Sequence, residues 1–259
     1  MSAGADKDKN IAKAEAMTHQ ALKKAAGFVL LPEVFNFRGD TRDRKTVVAV
    51  AENIPGPSLL PLMGLAKEYR AYILAGSIFE KAPGNKAYNT SVLINPQGKP
   101  VAKYRKIHLF DARIGDKIIK ESACFNAGQK TVSLPVAGFK AGLSICYDLR
   151  FPELYGQYAR REIDVLTAPS CFTQKTGEAH WEVLLRARAV ENLAYMLAPN
   201  QVGEGFNGIR AYGNSMIIGP WGEVIARASS DDEEIIYGHI SHDHISKARA
   251  ILPGIIKGR

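Results

Sequence analysis

The chain reads as an α/β protein built from a duplicated unit. Helices with a 3.6-residue apolar period alternate with short, continuous apolar runs. The two halves present these elements in the same order, and each half ends on a hairpin with a proline-containing turn.

Residues 8–26 put Ile11, Ala14, Met17, Ala21, Leu22 and Ala25 at helical spacing, and Gly27 ends that helix. Phe28-Val29-Leu30-Leu31 is too short for a helix and reads as a buried strand. Residues 58–69 form a second helix with Leu59, Leu62, Met63 and Ala66 inward, 72–75 a second buried strand, and 91–106 a hairpin turning at Asn95-Pro96-Gln97-Gly98. In the second half, 143–146 is a strand and Pro152 opens a short helix over 152–161. A strand at 165–168, a helix at 181–192, a strand at 195–198 and a hairpin at 216–228, turning at Gly219-Pro220-Trp221-Gly222, complete it. Tyr72 and Tyr195 stand 123 positions apart, and Pro96 and Pro220 stand 124 apart, as a repeat requires. Pro32 and Pro169 stand 137 apart, which a longer loop in one half explains. The repeat also predicts a gap. Helix 152–161 has a strand before it, whereas helix 8–26 follows a few polar or small residues that cannot form one. The chain is therefore expected to start one strand late and to leave an open sheet edge.

Composition narrows the function classes. With 46% hydrophobic and 23% charged residues in 259, the chain is globular and long enough to bury a core without staples. Three cysteines exclude a disulfide scaffold and leave at least one free thiol, which favours a reducing compartment. The net charge of +8 is scattered among acids with no run of five basic residues, which speaks against nucleic acid as a partner. No apolar stretch of about 18 residues is present, so no transmembrane helix and no membrane partner are expected. The first 26 residues are too charged for a secretory signal, and a cytoplasmic protein is expected.

Three reactive groups stand at strand ends. Cys146 closes a buried strand before a turn, the end at which open α/β sheets place reactive groups; a buried structural thiol is the alternative. Glu33 follows Leu30-Leu31-Pro32, where proline breaks the strand pairing, and Lys106 ends the strand 99–106. Converging, the acid would take the thiol proton and the amine would stabilise an anionic intermediate. Taken singly, they are also a solvated carboxylate, a surface lysine and a core thiol. Cys124 and Cys171 read as structural. No histidine stands in the context of a thiol base, and the pair His242 and His244 lacks a further ligand group at suitable spacing.

Leu31-Pro32-Glu33, Tyr104-Arg105-Lys106-Ile107-His108-Leu109-Phe110-Asp111 and Ile145-Cys146-Tyr147-Asp148-Leu149-Arg150-Phe151-Pro152-Glu153 resemble the three motifs of the nitrilase superfamily of carbon–nitrogen hydrolases, in order and in spacing. The resemblance runs from about residue 8 to about 253. Gly177-Glu178-Ala179-His180-Trp181-Glu182 and Leu185-Arg186-Ala187-Arg188-Ala189-Val190-Glu191-Asn192 resemble the amidase branch holding omega-amidases and deaminated-glutathione amidases. The resemblance implies one carbon–nitrogen hydrolase domain over residues 1–259, an αββα sandwich, and a triad of Glu33 as general base, Lys106 as oxyanion donor and Cys146 as nucleophile. It implies that the Tyr147 backbone N–H joins the oxyanion site and that Glu121 is a second glutamate orienting the lysine and substrate. Hydrolysis of a small amide substrate would pass through a thioester, with no metal or organic cofactor, in a homodimer or larger homo-oligomer.

In the small-dicarboxylate amidases of this branch, the positions of Arg150 and Thr176 bind the substrate's far carboxylate. An arginine fork suits a carboxylate. Arg150 paired with Asp148 or Glu153, and Thr176 as a plain turn residue, are the alternatives. The expected activity is therefore amidase action on a linear amide bearing a carboxylate. A nitrilase, a carbamoyl-amine amidohydrolase, or a scaffold inactive for want of the first strand are the other readings. The sequence departs from the family in that first strand, which normally ends in glutamine, in the tail 252–259, which lacks an Arg-rich ending, and in Cys171, where alanine is usual. Loops 34–52, 112–120 and 173–180 are expected to shape the pocket.

Overall fold

The computed structural model describes residues 1–114 and 117–253. The end of the tail, 254–259, and two residues of the 112–120 loop lie outside the described residues.

Asp6 opens α1 (Lys7–Lys23), its carboxylate accepting the Lys9 N–H at 3.1 Å. The helix buries Asn10, Ala14, Thr18, Ala21 and Leu22, one face at helical spacing. It stops earlier than Gly27, because Ala25 already turns left-handed at φ 60°. β1 (Phe28–Leu30), α2 (Arg44–Val50), α3 (Leu60–Tyr69), β2 (Tyr72–Lys81), β3 (Ala87–Ile94) and β4 (Pro100–Arg105) complete the first half. After the hairpin β5 (Asp111–Ile114) and β6 (Lys117–Lys120) come β7 (Val132–Val136), β8 (Phe139–Leu143), α4 (Pro152–Ala159), β9 (Val165–Thr167), α5 (Gln174–Asn192) and β10 (Tyr195–Ala198). The hairpin β11 (Val202–Glu204) and β12 (Arg210–Tyr212), then β13 (Met216–Ile218), β14 (Val224–Arg227) and α6 (His242–Ile251) close the described chain.

Two sheets carry the fold. One has the order β1-β2-β3-β4, the other β14-β13-β10-β9-β8-β7. β1 runs parallel to β2, and β2, β3 and β4 are antiparallel in turn. The strands β9, β10, β13 and β14 repeat that order and sense. The turns repeat as well: Gly98 at φ 71° donates to Asn95 O, and Gly222 at φ 85° donates to Gly219 O. The internal duplication read from the sequence is thus present in the topology. In the second sheet β8 lies parallel beside β9, whereas β1 is the outermost strand of its sheet among the described residues.

Helices α1 and α3 share a core with one face of the first sheet, through Leu22, Leu62, Ile73, Val92 and Ile94. Helices α4 and α5 pack Tyr155, Trp181 and Leu185 on Leu166 and Met196 of the second. Phe28 and Leu30 of one sheet meet Val165, Tyr195 and Leu197 of the other, which joins the layers as helix–sheet–sheet–helix. No helix among the described residues is long and apolar enough to cross a membrane.

Three local expectations change. The strand expected at 143–146 is β8, ending at Leu143, because Cys146 adopts φ 47° and starts a 3-10 turn, Cys146–Arg150. The helix expected from 181 begins at Gln174, where polar first turns hide any apolar period. Within loops 34–52 and 112–120 lie α2, which buries Val47 alone, and the β5–β6 hairpin. Elements with so little buried surface carry no hydrophobic pattern to read.

Beside the first sheet's ladder, Glu80 is nearly buried and accepts from Lys103 Nζ at 2.7 Å, Arg105 Nε at 2.8 Å, Arg105 Nη2 at 2.9 Å and Thr90 Oγ1 at 2.8 Å. Burial opposes its charge, but the Arg105, Lys103 and Thr90 bonds win and hold its pKa down at about 2. A carboxylate depressed in the folded state stabilises above its unfolded pKa, near 4.5, and loses that contribution as pH falls toward 2. Because Lys103 and Arg105 are each about 40% exposed, screening trims the contribution to about 2 kcal/mol. Denaturant unfolding of wild type and Glu80→Gln should show that gap at pH 6 and close most of it by pH 2.5. An equal gap at both pH values would contradict the assignment.

Candidate active site

Glu33, Lys106 and Cys146 come from three strand ends on two sheets and meet in one buried cluster, at 4%, 2% and 8% exposure. Each is fixed by its backbone. The Leu31 N–H makes the last bond of β1 to Leu74 O, and the Val34 N–H donates to Ser77 Oγ at 2.9 Å. Gln201 Nε2 donates to the Glu33 carbonyl at 2.9 Å. β2 crosses this corner at Gly76, where a Cβ would stand 2.1 Å from the Leu31 and Pro32 oxygens. Lys106, one residue past β4, donates its N–H to Asn89 O at 2.9 Å and accepts from Gly128 N at 2.8 Å. The Cys146 N–H donates to Pro169 O at 3.0 Å, and its left-handed backbone, costly for a residue with a Cβ, turns the thiol out of the strand.

Lys106 Nζ lies 2.9 Å from Glu33 Oε1 and 2.9 Å from Glu121 Oε2. Glu121, in a 3-10 turn after β6, is aimed by the Phe110 N–H, 2.6 Å from its Oε2. Burial disfavours the Lys106 ammonium, yet Glu121 and Glu33 hold its pKa well above the ordinary value. Burial and then the Glu33 charge push the Cys146 thiol well up, against the opposing pull of Lys106. The resting sulfur is therefore a protonated thiol hydrogen-bonded to Glu33. Two carboxylates share one ammonium here.

The other expected residues fall as follows. The Tyr147 N–H lies in the first turn after the sulfur, where helical N–H groups have no partner within the turn. Arg150 rests over the rings of Tyr147 and Phe172 and lies 3.2 Å from His180 Nδ1. Neither Asp148 nor Glu153 pairs with it. Thr176 sits in the first turn of α5 with its hydroxyl 3.0 Å from Thr173 Oγ1, so its observed partner is the helix start.

Sequence reading missed Asn89 and the backbone of Cys171. Asn89 Nδ2 donates to Glu33 Oε1 at 2.9 Å, and the Cys171 N–H points at the Cys146 sulfur. Asn89, Thr90 and Ser91 are three consecutive buried polar residues on an otherwise largely apolar strand, a signal that could have marked the site. Three of the six histidines are engaged elsewhere: His108 with Asp148, His242 stacked on Phe139, His244 with Glu223. Among the described residues, no three His, Cys, Asp or Glu side chains are grouped to hold a metal ion.

This fold and pocket define a hydrolase of non-peptide carbon–nitrogen bonds, and residues 2–250 match the carbon-nitrogen hydrolase family: the chain belongs to it, within the nitrilase superfamily. It is 38% identical over 248 residues to human omega-amidase NIT2, covering 95% of this chain and 88% of that one. It is also 38% identical over 254 residues to the deaminated glutathione amidase of Synechocystis, covering 95% and 91%. The crystal structure of Saccharomyces cerevisiae Nit3, a member of branch 10 of the nitrilase superfamily, superposes with a TM-score of 0.86 at 33% identity, covering 97% of this chain and 91% of that one. The chain is an amidase of this superfamily.

Proposed function

We propose that this amidase hydrolyses a small linear amide carrying a carboxylate at its far end, through a thioester on Cys146. Attack on the amide carbonyl forms the S–C bond as Glu33 takes the thiol proton. An ammonium has three donors; two are committed to Glu33 and Glu121, and the third, with the Tyr147 N–H, serves the developing oxyanion. The protonated Glu33 then gives its proton to the leaving amine or ammonia. Water, deprotonated by Glu33, attacks the thioester; the C–S bond breaks, the acid leaves, and the Cys146 sulfur takes the proton back from Glu33. Glu121 holds Lys106 in place throughout.

The observation that carries the substrate class is Arg150. Its guanidinium lies over the ring of Tyr147, next in the chain to the nucleophile, and makes no ion pair with a carboxylate among the described residues. A cation beside the nucleophile's turn with no carboxylate paired to it among the described residues suits an anionic substrate group. The test is ammonia release from succinamate and from butyramide, which has the same chain length without the charge. Arg150→Gln should raise KM for succinamate about 10- to 100-fold, the worth of charge-assisted hydrogen bonds, and leave butyramide nearly unchanged. Equal effects on both amides would remove Arg150 from substrate recognition.

A further inference from the structure

We propose that Asp148 is the positioning residue that holds the Lys106 amine and the Cys146 thiol at reacting distance. The inference rests on the triad reading above and adds to it a residue that touches neither substrate nor reacting atoms.

Asp148 is fully buried, and no lysine or arginine pairs with it among the described residues. A buried carboxylate is expensive unless its oxygens are saturated. Four donors saturate them. Oδ2 accepts from Tyr104 Oη at 2.7 Å and from the Ile145 N–H at 2.9 Å. Oδ1 accepts from the His108 N–H at 3.0 Å and lies 2.7 Å from His108 Nδ1.

The placing of these donors is what assigns the role. Tyr104 and His108 flank Lys106 two residues to either side, and Ile145 immediately precedes Cys146. One side chain therefore bonds the backbone or side chains on both flanks of the amine and the residue leading into the nucleophile. These segments belong to different sheets, and no ladder bond joins β4 to β8. Aromatic contacts follow the same seam: His108 stacks on Phe151 at 3.6 Å between centroids, and Phe110 meets Tyr147 edge-on at 4.9 Å. The turn bearing Asp148 is itself anchored, since Arg188 Nε and Nη2 donate to Leu149 O at 3.0 and 2.7 Å. Displacing Asp148 would let the Lys106–Phe110 segment drift against this anchored turn, and Phe110 also aims Glu121.

Asp148→Asn keeps the volume but turns one acceptor into a donor that faces other donors. Misplacement by about 1 Å costs about 100-fold in rate, so kcat should fall about 100-fold per folded molecule while KM changes less than about threefold. Iodoacetamide labelling of Cys146, read by peptide mass spectrometry, should slow in parallel. Tyr104→Phe removes one of the four bonds and should slow both readouts about fivefold in the wild-type background, yet add almost nothing on top of Asp148→Asn. The alkylation readout needs no substrate, so it separates failure of this inference from failure of the amide assignment. If Asp148→Asn does not fold, Tyr104→Phe alone decides the matter. Labelling and kcat within twofold of wild type in the folded variants overturn the proposal, as does a rise in KM at constant kcat or an effect of Tyr104→Phe that is fully additive.

Discussion

Cys146→Ala should abolish amide hydrolysis, lowering kcat/KM by about 10⁴-fold or more, while the protein should unfold within about 1 kcal/mol of wild type. On the proposed mechanism no acyl-enzyme forms without the sulfur, and Glu33 and Lys106 would be left to act on water alone. The fold survives because the groups around the thiol do not depend on it. Glu33 keeps Lys106 at 2.9 Å and Asn89 at 2.9 Å, and the Cys146 N–H keeps Pro169 O. Alanine also has a Cβ, so the left-handed backbone at φ 47° is no more strained than before. Ammonia release and thermal unfolding of the purified variant check both halves. Activity close to wild type would end the thiol mechanism, and an unfolded variant would show that the pocket depends structurally on the sulfur.

The three central groups were legible because each pairs a reactive residue type with a recognisable local position. Leu30-Leu31-Pro32 marks a strand that stops, so Glu33 stands at a mouth; the same logic places Lys106 after β4 and Cys146 after β8. The two hairpins were legible for a similar reason, since Gly98 and Gly222 take the left-handed turns their neighbours announce. What escaped is what has no local signature. In sequence Asp148 stands only beside Glu153 as an alternative partner for Arg150, yet its bonds go to Tyr104 and His108, 44 and 40 positions away. Asn89 lies 56 positions from Glu33. Networks between distant segments depend on how sheets stack, and periodicity reports only which face of one segment is buried. The early turns of α5 escaped for the opposite reason: residues such as Lys175, Glu178 and His180 face outward and bury nothing that would announce a helix.

Lys106→Met should both silence the enzyme and destabilise it, and rescue of the second effect by Glu121→Gln identifies its cause. Methionine fills much of the same channel but leaves Glu33 and Glu121, both previously 2.9 Å from one ammonium, facing each other without a cation. Removing one member of a buried ionic cluster costs about 3–5 kcal/mol at neutral pH. Two carboxylates without their shared cation repel each other, and denaturant titrations followed by circular dichroism at pH 8 should show the loss. Adding Glu121→Gln should recover part of that stability, because Glu33 then has no like-charged neighbour, while kcat stays at background if Lys106 serves the oxyanion as proposed. A deficit untouched by Glu121→Gln would assign the loss to packing around the methionine and remove the charge cluster from the account of stability.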